Sequence, residues 1–127
     1  LKVWIDVLTP KHALFFEPLY RDLVHDGHEM LLTTRTYREA VEALRLKHLR
    51  FRIVGEHGGG SRYGKLLASG RRVVKLAQLI ENWQPDTAVS FSSPEAARVA
   101  FGLGVPHVAV NDSPHSWLVA RLSIPLS

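Results

Sequence analysis

The feature that most constrains this chain is a regular switch between two hydrophobic periodicities. Short apolar runs rich in β-branched residues alternate with longer stretches whose apolar positions recur every three or four residues. Residues 2–8, 28–34, 50–55, 86–91 and 105–110 read as strands. Between them, the spacing predicts helices over 14–26, from 36 onward, 64–83 and 94–103, with a short one at 116–122 and a further strand opening at Ile124-Pro125-Leu126. Strands joined through helices of this length pair in parallel by right-handed crossovers. The expected fold is therefore an α/β, Rossmann-like, doubly wound parallel sheet of five or six strands with helices on both faces.

Each helix carries its own punctuation. Phe15, Leu19, Leu23 and Val24 set the inner face of the first, which Gly27 stops. Thr36-Tyr37-Arg38-Glu39 has the capping-box pattern and opens the second, with Tyr37, Ala40, Val41, Leu44 and His48 on one face. The long third helix turns Leu67, Val73, Val74, Ala77 and Ile80 inward, and Gly104 ends the fourth. A chain of 127 residues is one domain in size and long enough to bury a core. It shows no linker or repeat. It ends after Ser127 as though at the edge of another element, so residues 1–127 are expected to form one half of a two-domain protein.

Composition excludes several classes. With 0 Cys there are no disulfides or thiolate metal sites, and a reducing cytoplasm fits. No apolar run nears the roughly 20 residues that span a bilayer, and Leu1-Lys2-Val3-Trp4-Ile5 lacks the order of a signal peptide. A shortage of heat-labile residues hints at a thermophilic source. Of 16 Lys and Arg, 11 lie between Arg35 and Lys75, against only Glu39, Glu42 and Glu56. Such a stretch is either a solvated face or a surface for phosphates, anionic lipid headgroups or a protein partner. No zinc-finger spacing, aromatic strand motif or recognition helix marks a nucleic-acid binder.

In open α/β sheets, ligands bind beyond the carboxyl ends of the strands, near the switch point in strand order. The segments following the five strands are chemically rich: Thr9-Pro10-Lys11-His12, Thr33-Thr34-Arg35, His57-Gly58-Gly59-Gly60-Ser61, Ser92-Ser93-Pro94-Glu95 and Asn111-Asp112-Ser113-Pro114-His115. The opposite turns, such as Asp26-Gly27 and Gln84-Pro85, are plain. Candidate substrate-binding residues are accordingly Thr9, Lys11, His57, Gly58, Gly59, Gly60, Ser61, Ser92, Ser93, Glu95, Asn111, Asp112, Ser113 and His115.

Ser93 is a good N-cap and Pro94 a good first helical residue, so either Ser93 merely caps its own helix or the free amide groups of that helix start also suit a phosphate or carboxylate. The three glycines admit close backbone approach, a lid, or a simple surface turn. His12, His57 and His115 each suit general-base work near neutrality, or simply hydrogen-bond the backbone of their loops. Asp6, inside the first strand, either holds one of these groups or is a buried acid satisfied by nearby amides.

Other chemistries fit less well. Gly59 to Lys65 matches the phosphate-loop spacing, but Leu66 stands where a magnesium-binding hydroxyl belongs. No local spacing assembles a metal site, so no metal or bound cofactor is expected. Neither Ser92 nor Ser93 has the flanking glycines of a nucleophile elbow. TPKHA after the first strand replaces the glycine fingerprint of dinucleotide dehydrogenases.

The blocks KVWIDVLTPKHALFFEPL, HGGGS, PDTAVSFSSPEAARVAFGLGVPHVAVNDSPHS and ARLSIPLS together resemble a family of uncharacterised, mostly archaeal proteins that look like glycosyltransferases of the two-domain GT-B fold. More distantly, Pro85 to His115 is similar to the UDP-N-acetylglucosamine 2-epimerases. Two departures separate the chain from those epimerases. Asn111 stands where they carry a glutamate, and the first loop lacks their glycine-threonine-arginine-proline-glutamate signature. The resemblance implies an N-terminal half that receives a sugar or lipid-linked acceptor. A nucleotide-sugar, as co-substrate, would be gripped by a C-terminal domain or partner chain. It also implies His12 as the catalytic base, in the loop after strand one. The alternatives are an epimerase-like domain, or a non-catalytic module docking on anionic lipid or protein through residues 35–75.

Overall fold

A computed structural model describes residues 1–110. Five strands alternate with four helices in the order β1 (Lys2–Asp6), α1 (Pro10–His25), β2 (Glu29–Thr36), α2 (Arg38–Leu46), β3 (Arg52–Glu56), α3 (Arg62–Trp83), β4 (Thr87–Ser90), α4 (Pro94–Leu103) and β5 (His107–Ala109). All pairings are parallel, in the order β3-β2-β1-β4-β5. β1 is therefore central, and its apolar run from Val3 to Leu8 is buried on both faces, as a parallel interior strand requires. The expected doubly wound sheet is present. The anticipated helix at 116–122 and strand at 124–126 lie outside the described residues.

Two cores sandwich the sheet. Trp4, Leu31, Val54 and Ala88 pack on one face against Leu76 and Ile80 of α3 and Ala96, Val99 and Ala100 of α4. Val3, Ile5, Val7 and Leu32 pack on the other against Ala13 and Phe16 of α1 and Leu44 of α2. Alternate residues of one strand thus feed opposite cores. Crossovers lie on the α1/α2 face while the chain moves from β1 outward to β3. They lie on the α3/α4 face once it returns through β4. The reversal places the topological switch point between the neighbours β1 and β4.

The buried faces of the helices differ in part from those expected. α1 begins at Pro10, capped by Thr9, whose Oγ1 accepts the His12 amide at 3.3 Å. Its buried face carries Ala13 and Phe16, with Tyr20 and Leu23 packed alongside, while Phe15, Leu19 and Val24 are exposed. The apolar stripe is wider than the buried one, so periodicity alone chose the wrong edge. The expected capping box is absent, because Thr36 stays in β2, pairs with Glu56 and donates its hydroxyl to Gly55 O at 3.2 Å. Tyr37 is the α2 N-cap, without a side-chain bond. Ala40, Val41 and Leu44 are buried as expected, but His48 is exposed beyond the helix end at φ 56°. In α3, Ile80 is buried and Val73 and Ala77 pack on the core, whereas Leu67 and Val74 are exposed. The α1 and α4 stops hold, with Gly27 and Gly104 at φ 88° and 73°.

Candidate functional site at the switch point

Beneath the carboxyl ends of β1 and β4 lies a buried polar cluster centred on Asp6, which is 0% exposed. Its Oδ2 accepts from Arg72 Nη1 at 2.8 Å and Ser93 Oγ at 2.6 Å. Its Oδ1 accepts from Thr33 Oγ1 at 2.7 Å and Arg72 Nη2 at 2.5 Å. Trp4 Nε1 donates to Thr33 Oγ1 at 2.8 Å. Arg72 completes its fork with Nε to Val54 O at 2.8 Å and Nη1 to Glu95 Oε1 at 3.4 Å. Burial by itself would push the Asp6 carboxyl up; the Arg72 charge, with hydrogen bonds from Arg72, Ser93 and Thr33, holds it below its ordinary value. Side chains, not amides, satisfy this acid.

The cluster fixes the entrance to α4. Ser93 caps that helix, accepting the Ala96 amide at 3.2 Å while donating to Asp6. Its own amide donates to Ser90 Oγ at 3.0 Å, and Ser90 Oγ is 2.8 Å from His107 Nε2. Burial depresses the His107 basicity, with Asp6 opposing in part. Ser92, at φ 54°, donates its hydroxyl to Val110 O at 2.9 Å. A serine in the left-handed region is the kind of local strain that gathers at functional sites.

On the α1/α2 side of the sheet, the first turn of α1 meets the segment after β4. The His12 ring stacks on Phe91 at 4.7 Å and 16°, and Lys11 Nζ lies 5.4 Å over the same ring. His12 Nδ1 accepts the Leu8 amide at 3.2 Å. In the neutral ring this bond puts the proton on Nε2.

The sequence-derived residues thus fall into two groups. At the β1/β4 switch point, Ser93 and Glu95 join the Asp6–Arg72 cluster on the α3/α4 side. Lys11 and His12 stand against Phe91 on the α1/α2 side, with Thr9 capping α1, and Ser92 lies in the segment between β4 and α4. His57, Gly58, Gly59, Gly60 and Ser61 belong to the β3 edge, two strands away. There the His57 ring stacks on Tyr37 at 5.0 Å and its Nδ1 accepts the Gly59 amide at 3.3 Å. Ser61 caps α3 by accepting the Gly64 amide at 2.9 Å. A Cβ on Gly58 would stand 2.5 Å from Lys65 Cα and 2.7 Å from Gly64 O, so that glycine packs the loop onto the first turn of α3. Gly59 and Gly60 face open space. Asn111, Asp112, Ser113 and His115 lie outside the described residues.

Sequence reasoning missed Arg72, which it counted among the charges of a basic surface. The residue is 1% exposed, so that surface is smaller than the count implied. The available signal was Asp6 itself: an acid in the middle of a buried strand demands a cation. Arg35, near the end of β2, belongs to the segment read as following strand two but not to the candidate substrate-binding residues. It is half-buried, its Nε is buried without a hydrogen-bond partner, and burial lowers its basicity against the opposing pull of Glu95. Among the described residues no helix is long and apolar enough to cross a membrane.

In doubly wound sheets, the crevice at the switch point is where ligands bind. Residues 1–127 match the family described as Protein of unknown function (DUF354), and the chain belongs to that family. It is 33% identical over 127 residues to an uncharacterised protein of Methanocaldococcus jannaschii, covering 100% of this chain and 37% of that one. The UDP-GlcNAc 2-epimerase from Neisseria meningitidis, solved bound to UDP-GlcNAc, shares its fold at TM-score 0.74 and 16% identity, over 100% of this chain and 39% of that one. The glycosyltransferase SsfS6 of a Streptomyces species does so at TM-score 0.73 and 18% identity, over 99% and 44%. The family and the GT-B-type N-terminal fold anticipated from the sequence blocks are both found. The chain spans well under half the length of these proteins.

Proposed function

We propose that this chain is the acceptor-side N-terminal domain of a GT-B-like glycosyltransferase that works with a nucleotide-sugar donor. The observation that carries the reading is the meeting of His12, Lys11 and Phe91 with the capped start of α4, at the point where the strand order reverses. Ligands of open α/β sheets sit there. The full-length likeness to N-terminal halves of sugar enzymes supports the same reading. The donor would be held by the remainder of a longer polypeptide or by a partner chain.

In this scheme His12 takes the proton of an acceptor hydroxyl as the sugar–phosphate bond breaks. A near-neutral imidazole suits that step. The geometry sets a condition: with Nδ1 engaged by the Leu8 amide, the ring must turn or exchange tautomer to offer a lone pair to substrate. Stacking on Phe91 leaves the plane of the ring defined while that exchange occurs. An epimerase-like domain is the second reading, favoured by the fold match to the Neisseria enzyme.

An amide-resolved NMR titration of this chain with UDP, UDP-sugars, simple sugars and anionic lipid headgroups tests the assignment. Shifts clustered at residues 9–12 and 91–95 with sugars are expected. Shifts confined to 35–75, and only with lipid headgroups, would replace it with a docking module. No turnover is expected from these residues alone, so robust transfer by them would also count against a split site.

A further inference from the structure

In α3, burial starts late. No side chain from Arg62 to Arg71 is buried; the buried positions of the helix are Arg72, Leu76 and Ile80. The opposite face is apolar. Tyr63, Leu67, Gly70 and Val74 recur at intervals of four, three and four, the spacing of one helical stripe. Arg72 comes nine residues after Tyr63, half a rotation away at about 3.6 residues per turn, so the stripe points away from the core. Tyr63 is 72% exposed, Leu66 beside it 71% and Val74 58%. A Cβ on Gly70 would meet nothing within 4 Å. Contiguous exposed apolar groups of this kind mark interaction surfaces.

Cations border the stripe. Arg71 and Lys75 lie along one side of it and Arg62 along the other, with Lys65 in the first turn. All four are exposed, and none forms an ion pair among the described residues. Arg72 does not count toward this face, because it is paired with Asp6 inside. No acid occurs between Glu56 and Glu81, so the four cations stand against Glu56 alone. A solvated helix face is polar throughout, and this one is not. An apolar stripe bordered by Lys and Arg matches a bilayer with anionic headgroups: the apolar side chains enter the acyl boundary while the cations meet the phosphates. The chain's own remaining residues suit the face less well. Residues 111–127 follow β5, at the opposite edge of the sheet from β3, and carry only Asp112 as an acid.

We propose that this face of α3, with Tyr63, Leu66 and Val74 at its centre, docks the domain on an anionic lipid bilayer. The helix lies in the plane of the interface and keeps its buried side against the sheet. Docking is independent of what the switch point binds. A result with vesicles therefore bears on this face, and a sugar titration on the acceptor-side reading.

The test is co-sedimentation of the 127-residue chain with vesicles of phosphatidylcholine alone, and of equal parts phosphatidylcholine and phosphatidylglycerol. Binding to the second kind only, weakening as salt is added, is expected. Arg71→Gln with Lys75→Gln should lower that affinity about thirtyfold, at roughly fivefold per cation. Arg45→Gln with Arg50→Gln removes the same charge from α2 and the start of β3 and should change it by less than about threefold. Leu66→Gln with Val74→Gln keeps every charge and should lower it about tenfold. All six positions are exposed, so the substitutions leave the core intact. No binding by the unmodified chain, or equal binding to both kinds of vesicle, would overturn the proposal. So would an equal loss in the Arg45 and Arg50 variant, which would place the contact elsewhere. An unchanged affinity after the Leu66 and Val74 substitutions would reduce it to plain charge and overturn the apolar contact. Binding by this chain but not by a protein that also carries the donor-binding part would show the face covered there, and would overturn it equally.

Discussion

The side chain of Arg72 crosses β3 directly over Gly55. A Cβ on Gly55 would stand 2.7 Å from Arg72 Cγ and 2.9 Å from its Cβ, and Gly55 also sits at φ 81°. Absence of a side chain and a left-handed backbone are both needed for the guanidinium to reach Asp6. Gly55→Ala should therefore destabilise by about 2–4 kcal/mol, combining backbone strain with displacement of a buried ion pair. A urea midpoint unchanged from the parent would refute it.

Removing the cation should be worse than removing the pair. Arg72→Met leaves the Asp6 carboxylate buried among hydroxyls and should cost about 3–5 kcal/mol. Asp6→Leu combined with Arg72→Met should recover a large part of that loss, because isosteric apolar replacement of a buried pair is often near neutral. Denaturant melts of the two single variants and the double variant check this through the coupling term.

Ser93 and Ser61 cap helices with the same geometry, yet only Ser93 also donates to a buried carboxylate. Ser61→Ala should cost about 0.5–2 kcal/mol, the ordinary value of a cap. Ser93→Ala should cost about 1–3 kcal/mol more, since Asp6 loses a charged hydrogen bond. Equal losses would show that the second bond contributes nothing.

Acid should act in two windows. The His107 basicity is depressed by burial below its usual 6.5, so the unfolded chain takes up that proton first, and stability falls once pH drops below about 6.5. Asp6 is held below its usual 3.8; the stability it contributes is present above that value and lost as pH falls through its lower folded value. His107→Gln should flatten the upper window and leave the lower one. Stability measured by urea titration across pH 2–8 separates the two.

Much of the fold was legible because parallel strands and their crossovers leave two distinct periods in the chain. The stops at Gly27 and Gly104 were equally plain, since each occupies a left-handed position that favours glycine. The inner face of α1 was not. Leu14, Phe15 and Phe16 are all apolar, and only the neighbouring elements decide that Phe16 is buried. At the site, Ser93 as a cap could be read locally from Ser-Pro-Glu. The role of Arg72 could not, because its partner lies 66 residues away and its neighbours Arg71 and Lys75 look like any solvated helix surface. Arg35 follows Leu31 and Thr33 in ordinary strand alternation, but nothing local shows that an arginine near a strand end is half-buried.

On the proposed acceptor-side reading, His12→Ala in a protein that also carries the donor-binding part should lower turnover by about 10²–10⁴-fold, the usual share of a general base, with binding of acceptor little changed. Lys11→Ala, which removes a cation over Phe91 but no proton acceptor, should have a much smaller effect. Single-turnover kinetics on both variants would tell a base from a residue that only shapes the loop.

The Asp6 cluster also has a consequence for the order in which the protein is made. Asp6 emerges from the ribosome 66 residues before the arginine that neutralises it and 87 before the serine that completes its shell. Until then, burying β1 would strand a bare carboxylate in the interior. Nascent chains halted short of Arg72 should stay open to protease, and protection should appear abruptly once α3 and the start of α4 have cleared the exit tunnel. A single acid near the beginning of the sequence thus defers collapse of the central strand until the far side of the sheet is available.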